Sequence, residues 1–121
     1  TEALEQIQPI ATQIRQLTGL DCYGSDEDSL ASVLGKLLHS RQETLSVAES
    51  CTGGGLGQML TAIPGSSAYF WGGVISYDNQ VKISLLGVDS DTLARVGAVS
   101  AAVAEQMALG VRSRLETTWG L

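Results

Sequence analysis

The sequence predicts an α/β fold, a three-layer α/β/α arrangement around a largely parallel sheet, with a mixed sheet as the alternative. Three observations point there. Short runs rich in β-branched and aromatic residues alternate with segments whose apolar residues recur every three or four positions. A glycine-rich turn, with Gly53, Gly54, Gly55 and Gly57, carries one such run into the next helix. Apolar residues make up 44% of the 121, enough for a packed core.

Taken in order, residues 3–17 place Leu4, Ile7, Ile10, Ile14 and Leu17 along one helical face. Pro9 is expected to start or kink the regular helix, and Gly19 to end it. Leu20–Tyr23 reads as one short strand, and Gly24–Asp28 as an acidic, turn-rich loop whose charges are solvated. A second helix, about 28–40, carries the stripe Leu30, Val33, Leu34, Leu37, Leu38 and ends near His39, where a cation suits the helix dipole. Thr44–Ala48 is a strand, followed by the glycine-rich helix to about Ala62 and a stop at Ile63-Pro64-Gly65. Ala68–Tyr77 is the next strand, with Gly72-Gly73 marking a bulge or a close approach. Asp78-Asn79 cap a short helix bearing Val81, Ile83, Leu85 and Leu86, which Gly87 ends. Ser90 and Asp91 start a turn of helix to Val96. Ser100 then caps a last helix with Val103, Ala104, Met107, Val111 and Leu115 on one face. Thr117–Leu121 are β-formers and read as the first residues of a strand.

Composition excludes several function classes. A net charge of −6 and a pI near 4.5 argue against a nucleic-acid partner, which needs a basic face. No apolar run approaches the length of a membrane span, and no signal peptide pattern is present, so a cytoplasmic protein with no membrane partner is expected. Cys22 and Cys51 lack metal-ligand spacing and are expected as reduced thiols. His39 is the only histidine and cannot build a metal cluster. The chain opens without methionine inside a helix pattern and closes on what reads as a strand, so it is expected to be a fragment.

The turn "AESCTGGGLG", Ala48–Gly57, carries the candidate chemistry. Each glycine in a helix costs about 0.8–1 kcal/mol relative to alanine, so four of them need a reason. A Walker loop requires a lysine after the glycines, and none follows. The dinucleotide pattern G-x-G-x-x-G fails too, since its third glycine falls on Gln58 or Leu60. What remains is a helix start whose free N–H groups suit a phosphate or an oxyanion, with glycines clearing space for a ligand. Ser50 stands at the C-terminal end of its strand, where open α/β sheets place ligands. The next strand ends at Ser76-Tyr77, and Lys82 follows one turn into the next helix. If the two strands are parallel neighbours, Ser50, Tyr77 and Lys82 converge on one sheet edge. A lysine serves as a base only when its surroundings favour the neutral amine, and Val81, Ile83 and Leu85 flank this one. Cys51 is the rival nucleophile, with no histidine nearby to pair with it.

The stretch "VAESCTGGGLGQMLTAIPGSSAYFWGGVISYDNQVKISLLGV", Val47–Val88, followed by "TLARVGAVS", Thr92–Ser100, resembles the C-terminal domain of the CinA (competence/damage-inducible) family, which also occurs alone as the nicotinamide-nucleotide amidase PncC. The motifs A-E-S-C-T-G-G, P-G-S-S, Y-x-N-x-x-K-x-x-L-L-G-V and G-A-V-S carry the resemblance, which runs from about Asp28 to Leu121. It implies residues 1–27 as the tail of a preceding linking domain and 28–121 as the amidase domain, incomplete at its C-terminus. It also implies hydrolysis of the carboxamide of nicotinamide mononucleotide to nicotinic acid mononucleotide and ammonia, without metal or cofactor. Ser50 matches the nucleophile and Lys82 the activating lysine, with Tyr77 beside them; Thr52, Gly53, Gly54 and Ser100 are expected to bind the substrate, the first three through backbone N–H groups that hold it or the oxyanion. A homo-oligomer, a dimer, is expected. The family continues past the position of Leu121 with a T-G-I-A-G-P-like segment and further strands, so this chain is expected to have impaired amidase activity and an open sheet edge. The alternative expectation is a non-catalytic nucleotide-binding or oligomerisation module.

Overall fold

The computed structural model describes residues 2–121. The apolar and small residues of β1 (Leu45–Glu49) make a strand buried on both faces, between β2 (Phe70–Ile75) and β3 (Trp119–Gly120). All pairings are parallel, as expected when helical crossovers cover both faces. β3 is short but well tied: Thr44 and Thr118 bond through each other's backbone N–H and hydroxyl groups, and the buried Ser46 hydroxyl lies 2.7 Å from that of Thr117.

Among the described residues there are six helices, α1 (Glu2–Thr18), α2 (Leu30–Arg41), α3 (Gly55–Thr61), α4 (Asn79–Leu86), α5 (Ser90–Val96) and α6 (Ala101–Leu115); α2 to α6 supply the cores around the sheet, while α1 buries none of its residues. Period-two alternation along β1 sorts its side chains between two cores. Leu45 and Val47 pack with Ala31 and Leu38 of α2, Leu60 of α3 and Tyr69. Ala48 faces the other way, against the core of Leu86, Val88, Leu93, Val103, Met107 and Val111 from α4 to α6. Each fully buried aliphatic side chain contributes about 1.5–3 kcal/mol, so Val103, Met107 and Val111 seat α6 firmly. Local signals set the helix starts: a Ser29–Ser32 capping box for α2, Asp78 for α4, Asp89 for α5 and Ser100 for α6.

The paired glycines of β2 act in both expected ways. Leu45 pairs with Phe70 and Ser46 with Gly72, so Trp71 is an extra, bulged residue. That insertion turns Phe70 toward α2 and α3 and Val74 toward α6. A Cβ on Gly73 would lie 2.5 Å from Cγ2 of Val47, so only glycine allows this strand spacing.

Four expectations need correction. Leu20–Tyr23 is not a strand: a 3₁₀ turn, Gly19–Asp21, is followed by irregular chain. Its β-formers have no neighbouring ladder and no face to bury. α1 begins at Glu2 and runs through Pro9 as one helix; the Glu5 carbonyl that Pro9 leaves unpaired is on an exposed helix and can bond water. The inner face of α2 is Ala31, Leu34, Gly35 and Leu38, while Leu30 and Leu37 are largely exposed. Gly35 sets that rotation, because a Cβ there would overlap the Tyr69 ring. Ala104 is exposed, leaving Val103, Met107 and Val111 as the buried stripe of α6.

Candidate active site

Adjacent residues at the end of β1 serve opposite layers. Glu49 continues the Leu45–Val47 side and reaches α3; Ser50 continues the Ala48 side and reaches α4. Lys82 lies one turn into α4, whose start Asp78 fixes by accepting the Gln80 N–H at 2.7 Å. The lysine side chain is 2% exposed. Its Nζ donates to the carbonyl oxygens of Ser76 (2.5 Å) and Tyr77 (3.1 Å) and to Oγ of Ser50 (3.1 Å). The one ion pair among the described residues joins Lys36 to Asp28, so no carboxylate stands within 4.0 Å of Lys82. Buried Ser76 locks the two strand ends, its N–H donating to Glu49 O at 2.7 Å and its hydroxyl to the same oxygen at 3.3 Å.

The structure therefore brings Ser50 and Lys82 together. Tyr77 joins them through its backbone carbonyl, while its side chain is 77% exposed. Cys51 is exposed, and both cysteines are free thiols. Ser100 caps α6, accepting from Val103 N–H and donating to Gly97 O, and makes no hydrogen bond to Ser50 or Lys82.

The glycine turn is organised differently from the expectation of a free anion site. Gly53 N–H donates to Ser50 O, Gly55 N–H to Thr52 O, and Gly54 N–H to the Glu49 carboxylate at 3.0 Å. Leu56 and Gly57 add N–H bonds to the same carboxylate at 2.9 and 2.8 Å. Glu49, 4% exposed, thus fills the N-terminus of α3. Burial alone would push its carboxyl up; the donors from Gly57, the Thr52 hydroxyl, Leu56 and Gly54 outweigh that and hold it below the usual carboxylate value. The glycines follow from this arrangement. Gly53 and Gly54 take φ of 59° and 104°, which side chains resist. A Cβ on Gly57 would crowd Glu49 Oε1 at 3.3 Å. The backbone N–H groups of Ser50, Cys51 and Thr52 have no partner among the described residues. Sequence reading missed Glu49. The signal was present: Leu45, Val47 and Glu49 share a strand face immediately before a helix start, where a carboxylate is favoured.

Comparison with known proteins supplies the family. The CinA C-terminal domain family matches residues 27–121. The chain is 98% identical over 121 residues to a CinA-like protein of Cyanothece sp., covering 100% of this chain and 29% of that relative. It is 67% identical over 119 residues to a CinA-like protein of Nostoc punctiforme, covering 98% of this chain and again 29% of the relative. It therefore spans under a third of the length of these relatives. Among solved structures it is similar to a competence-damaged protein (CinA) superfamily protein from Escherichia coli, with a TM-score of 0.72 and 31% identity over 83% of this chain and 61% of that one. It is also similar to the competence damage-inducible protein A (ComA) from Klebsiella pneumoniae, with a TM-score of 0.71 and 33% identity over 73% and 55% of the two chains. The chain, a parallel α/β sheet carrying the A-E-S-C-T-G-G turn at its central strand, belongs to the CinA family and matches its C-terminal domain.

Proposed function

We propose that this domain is a serine amidase that hydrolyses the carboxamide of nicotinamide mononucleotide to nicotinic acid mononucleotide and ammonia. The observation that carries the chemistry is the hydrogen-bond set of Lys82. Two carbonyl oxygens, of Ser76 and Tyr77, take two of its N–H bonds. The remaining direction points at Ser50 Oγ. When the amine is neutral, its two hydrogens satisfy the carbonyls and its lone pair faces the serine hydroxyl, which is the arrangement a general base needs. The substrate follows from the family resemblance.

In this mechanism Ser50 Oγ attacks the amide carbon while its proton passes to Lys82 Nζ. The tetrahedral intermediate collapses as Lys82 returns that proton to the leaving nitrogen, and ammonia departs. Water then attacks the acyl-enzyme with Lys82 again taking a proton, and the acid product leaves as the Ser50 hydroxyl is restored. Because Glu49 occupies the N–H groups of Gly54, Leu56 and Gly57, the donors left in the turn for developing negative charge are those of Ser50, Cys51 and Thr52.

The test is ammonia release from nicotinamide mononucleotide by this chain and by the full-length Cyanothece relative. Ser50→Ala should abolish it by about 10³-fold or more, Cys51→Ala should retain it, and Lys82→Arg should lose it because arginine stays protonated. Activity that survives Ser50→Ala and dies with Cys51→Ala would overturn the serine assignment. A second reading, an assembly module, is favoured by one observation: Leu4, Ile7, Ile10, Ile14 and Leu17 on α1 are each more than half exposed. Ammonia release that depends on Ser50 separates the two.

A further inference from the structure

We propose that Glu49 is the positioning residue for Ser50: its carboxylate closes the turn that follows β1 and thereby holds the serine hydroxyl against Lys82. A seven-residue helix such as α3 would ordinarily be capped by a side chain at its own N-cap. Here the N-cap is Gly54, which has no side chain to offer. The cap comes from five residues upstream, next to the nucleophile. Glu49 is held at both ends, by its carbonyl through Ser76 and by its carboxylate through Gly54, Leu56 and Gly57. Residues 50–53 form the loop between these two anchors. Ser50 is the first residue inside it, and among the described residues its hydrogen bonds are the one from Lys82 and that of its carbonyl, which accepts the Gly53 N–H at 3.1 Å.

The carboxylate cannot be replaced by a close mimic. Its two oxygens receive three N–H groups, with Oε2 taking Gly54 and Leu56 and Oε1 taking Gly57. A glutamine offers one oxygen, and in either orientation its NH₂ would face an N–H donor. Glu49 is buried and the three donors are half-buried, so a donor that loses the carboxylate is only partly compensated by water. An aspartate keeps the charge and falls one methylene short.

The kinetic part of this inference rests on the amidase reading; the geometric part does not. The experiment compares wild type, Glu49→Gln and Glu49→Asp, and uses Gly57→Ala as a variant that leaves residue 49 intact while its Cβ crowds Oε1 at 3.3 Å. A fluorophosphonate probe labels reactive serines, and peptide mass spectrometry locates the adduct, with Ser50→Ala as the blank. Each variant is labelled well below its own unfolding midpoint. We expect Ser50 labelling in the folded Glu49→Gln protein to fall by about 10–100-fold, the cost of a misplacement near 1 Å, with Gly57→Ala in between. With nicotinamide mononucleotide, kcat should fall by a similar factor and KM should hold within about twofold. A purely structural role would lower the unfolding midpoint and leave labelling of the folded protein unchanged, and that result overturns the proposal. Labelling of Ser50 without ammonia release would sink the amidase reading and leave the positioning role standing. A wild-type Ser50 that takes no label would overturn both.

Discussion

Gly110, inside α6, separates local propensity from tertiary packing. Replacing a mid-helix glycine by alanine ordinarily gains about 1 kcal/mol. In this fold the added Cβ would overlap the Leu86 carbonyl oxygen and lie 2.8 Å from its carbon. Carbon–carbon contacts settle near 3.5–4.0 Å, so α6 and the last turn of α4 must part by about 1 Å. The opposing atoms are backbone and have no rotamer to escape into, which puts the cost at the upper end of overpacking, about 3 kcal/mol. Net of propensity, Gly110→Ala should destabilise by about 2 kcal/mol, and a chain of this size then unfolds about 8 °C lower. Thermal unfolding followed by circular dichroism reads this directly. A midpoint at or above wild type would mean that helix propensity wins and that the α4–α6 contact is slack. The same displacement reaches the site, because Lys82 and Leu86 lie one turn apart on α4. Ser50 labelling should therefore fall even where the variant is fully folded.

Two further outcomes follow from buried polar groups. The hydroxyl of Tyr69 is buried without a partner among the described residues, so Tyr69→Phe should stabilise by about 1 kcal/mol, read as a higher urea midpoint; a lower midpoint would mean the hydroxyl is engaged in solution. Glu49 sets an acid limit: its carboxyl sits below the ordinary value of 4.5, so the folded state binds its proton less readily than the unfolded chain does. The stability it contributes is full above that value and is lost as pH falls through the folded pKa. Asp89, held low by the Thr92 hydroxyl and N–H, and Asp28, held low by its bond to Lys36, act in the same direction. Urea midpoints measured between about pH 6 and 3 should fall, and less steeply in Glu49→Gln; an unchanged slope in that variant would contradict the assignment.

The layering was legible because alternation and caps are local. Asp78 and Ser100 announce their helices, and Gly72-Gly73 announce the bulge and the close approach to Val47. The meeting of Ser50 with Lys82 was legible for a topological reason: parallel neighbours must open at the same edge. What escaped depended on contacts distant in sequence. The face of α2 turned because Tyr69 presses on Gly35. Leu20–Tyr23 has strand formers and nothing to pair with. Tyr77 takes part through its carbonyl, which no side-chain pattern reports. Glu49 was passed over because a carboxylate is solvated by default, and only its strand parity shows that it points inward.

That parity makes β1 intolerant of a frame shift in space. Glu49 and Ser50 are neighbours in the chain and residents of different layers. A one-residue deletion between Leu45 and Ala48 would exchange them, swinging the carboxylate beneath Lys82 and the hydroxyl beneath α3. The lysine would then close an ordinary buried ion pair, and three donors at the head of α3 would face a single hydroxyl. Such a variant would keep every residue of the motif and have neither the clamp nor the nucleophile. In this domain the phase of one short strand carries as much information as the identities of the residues on it.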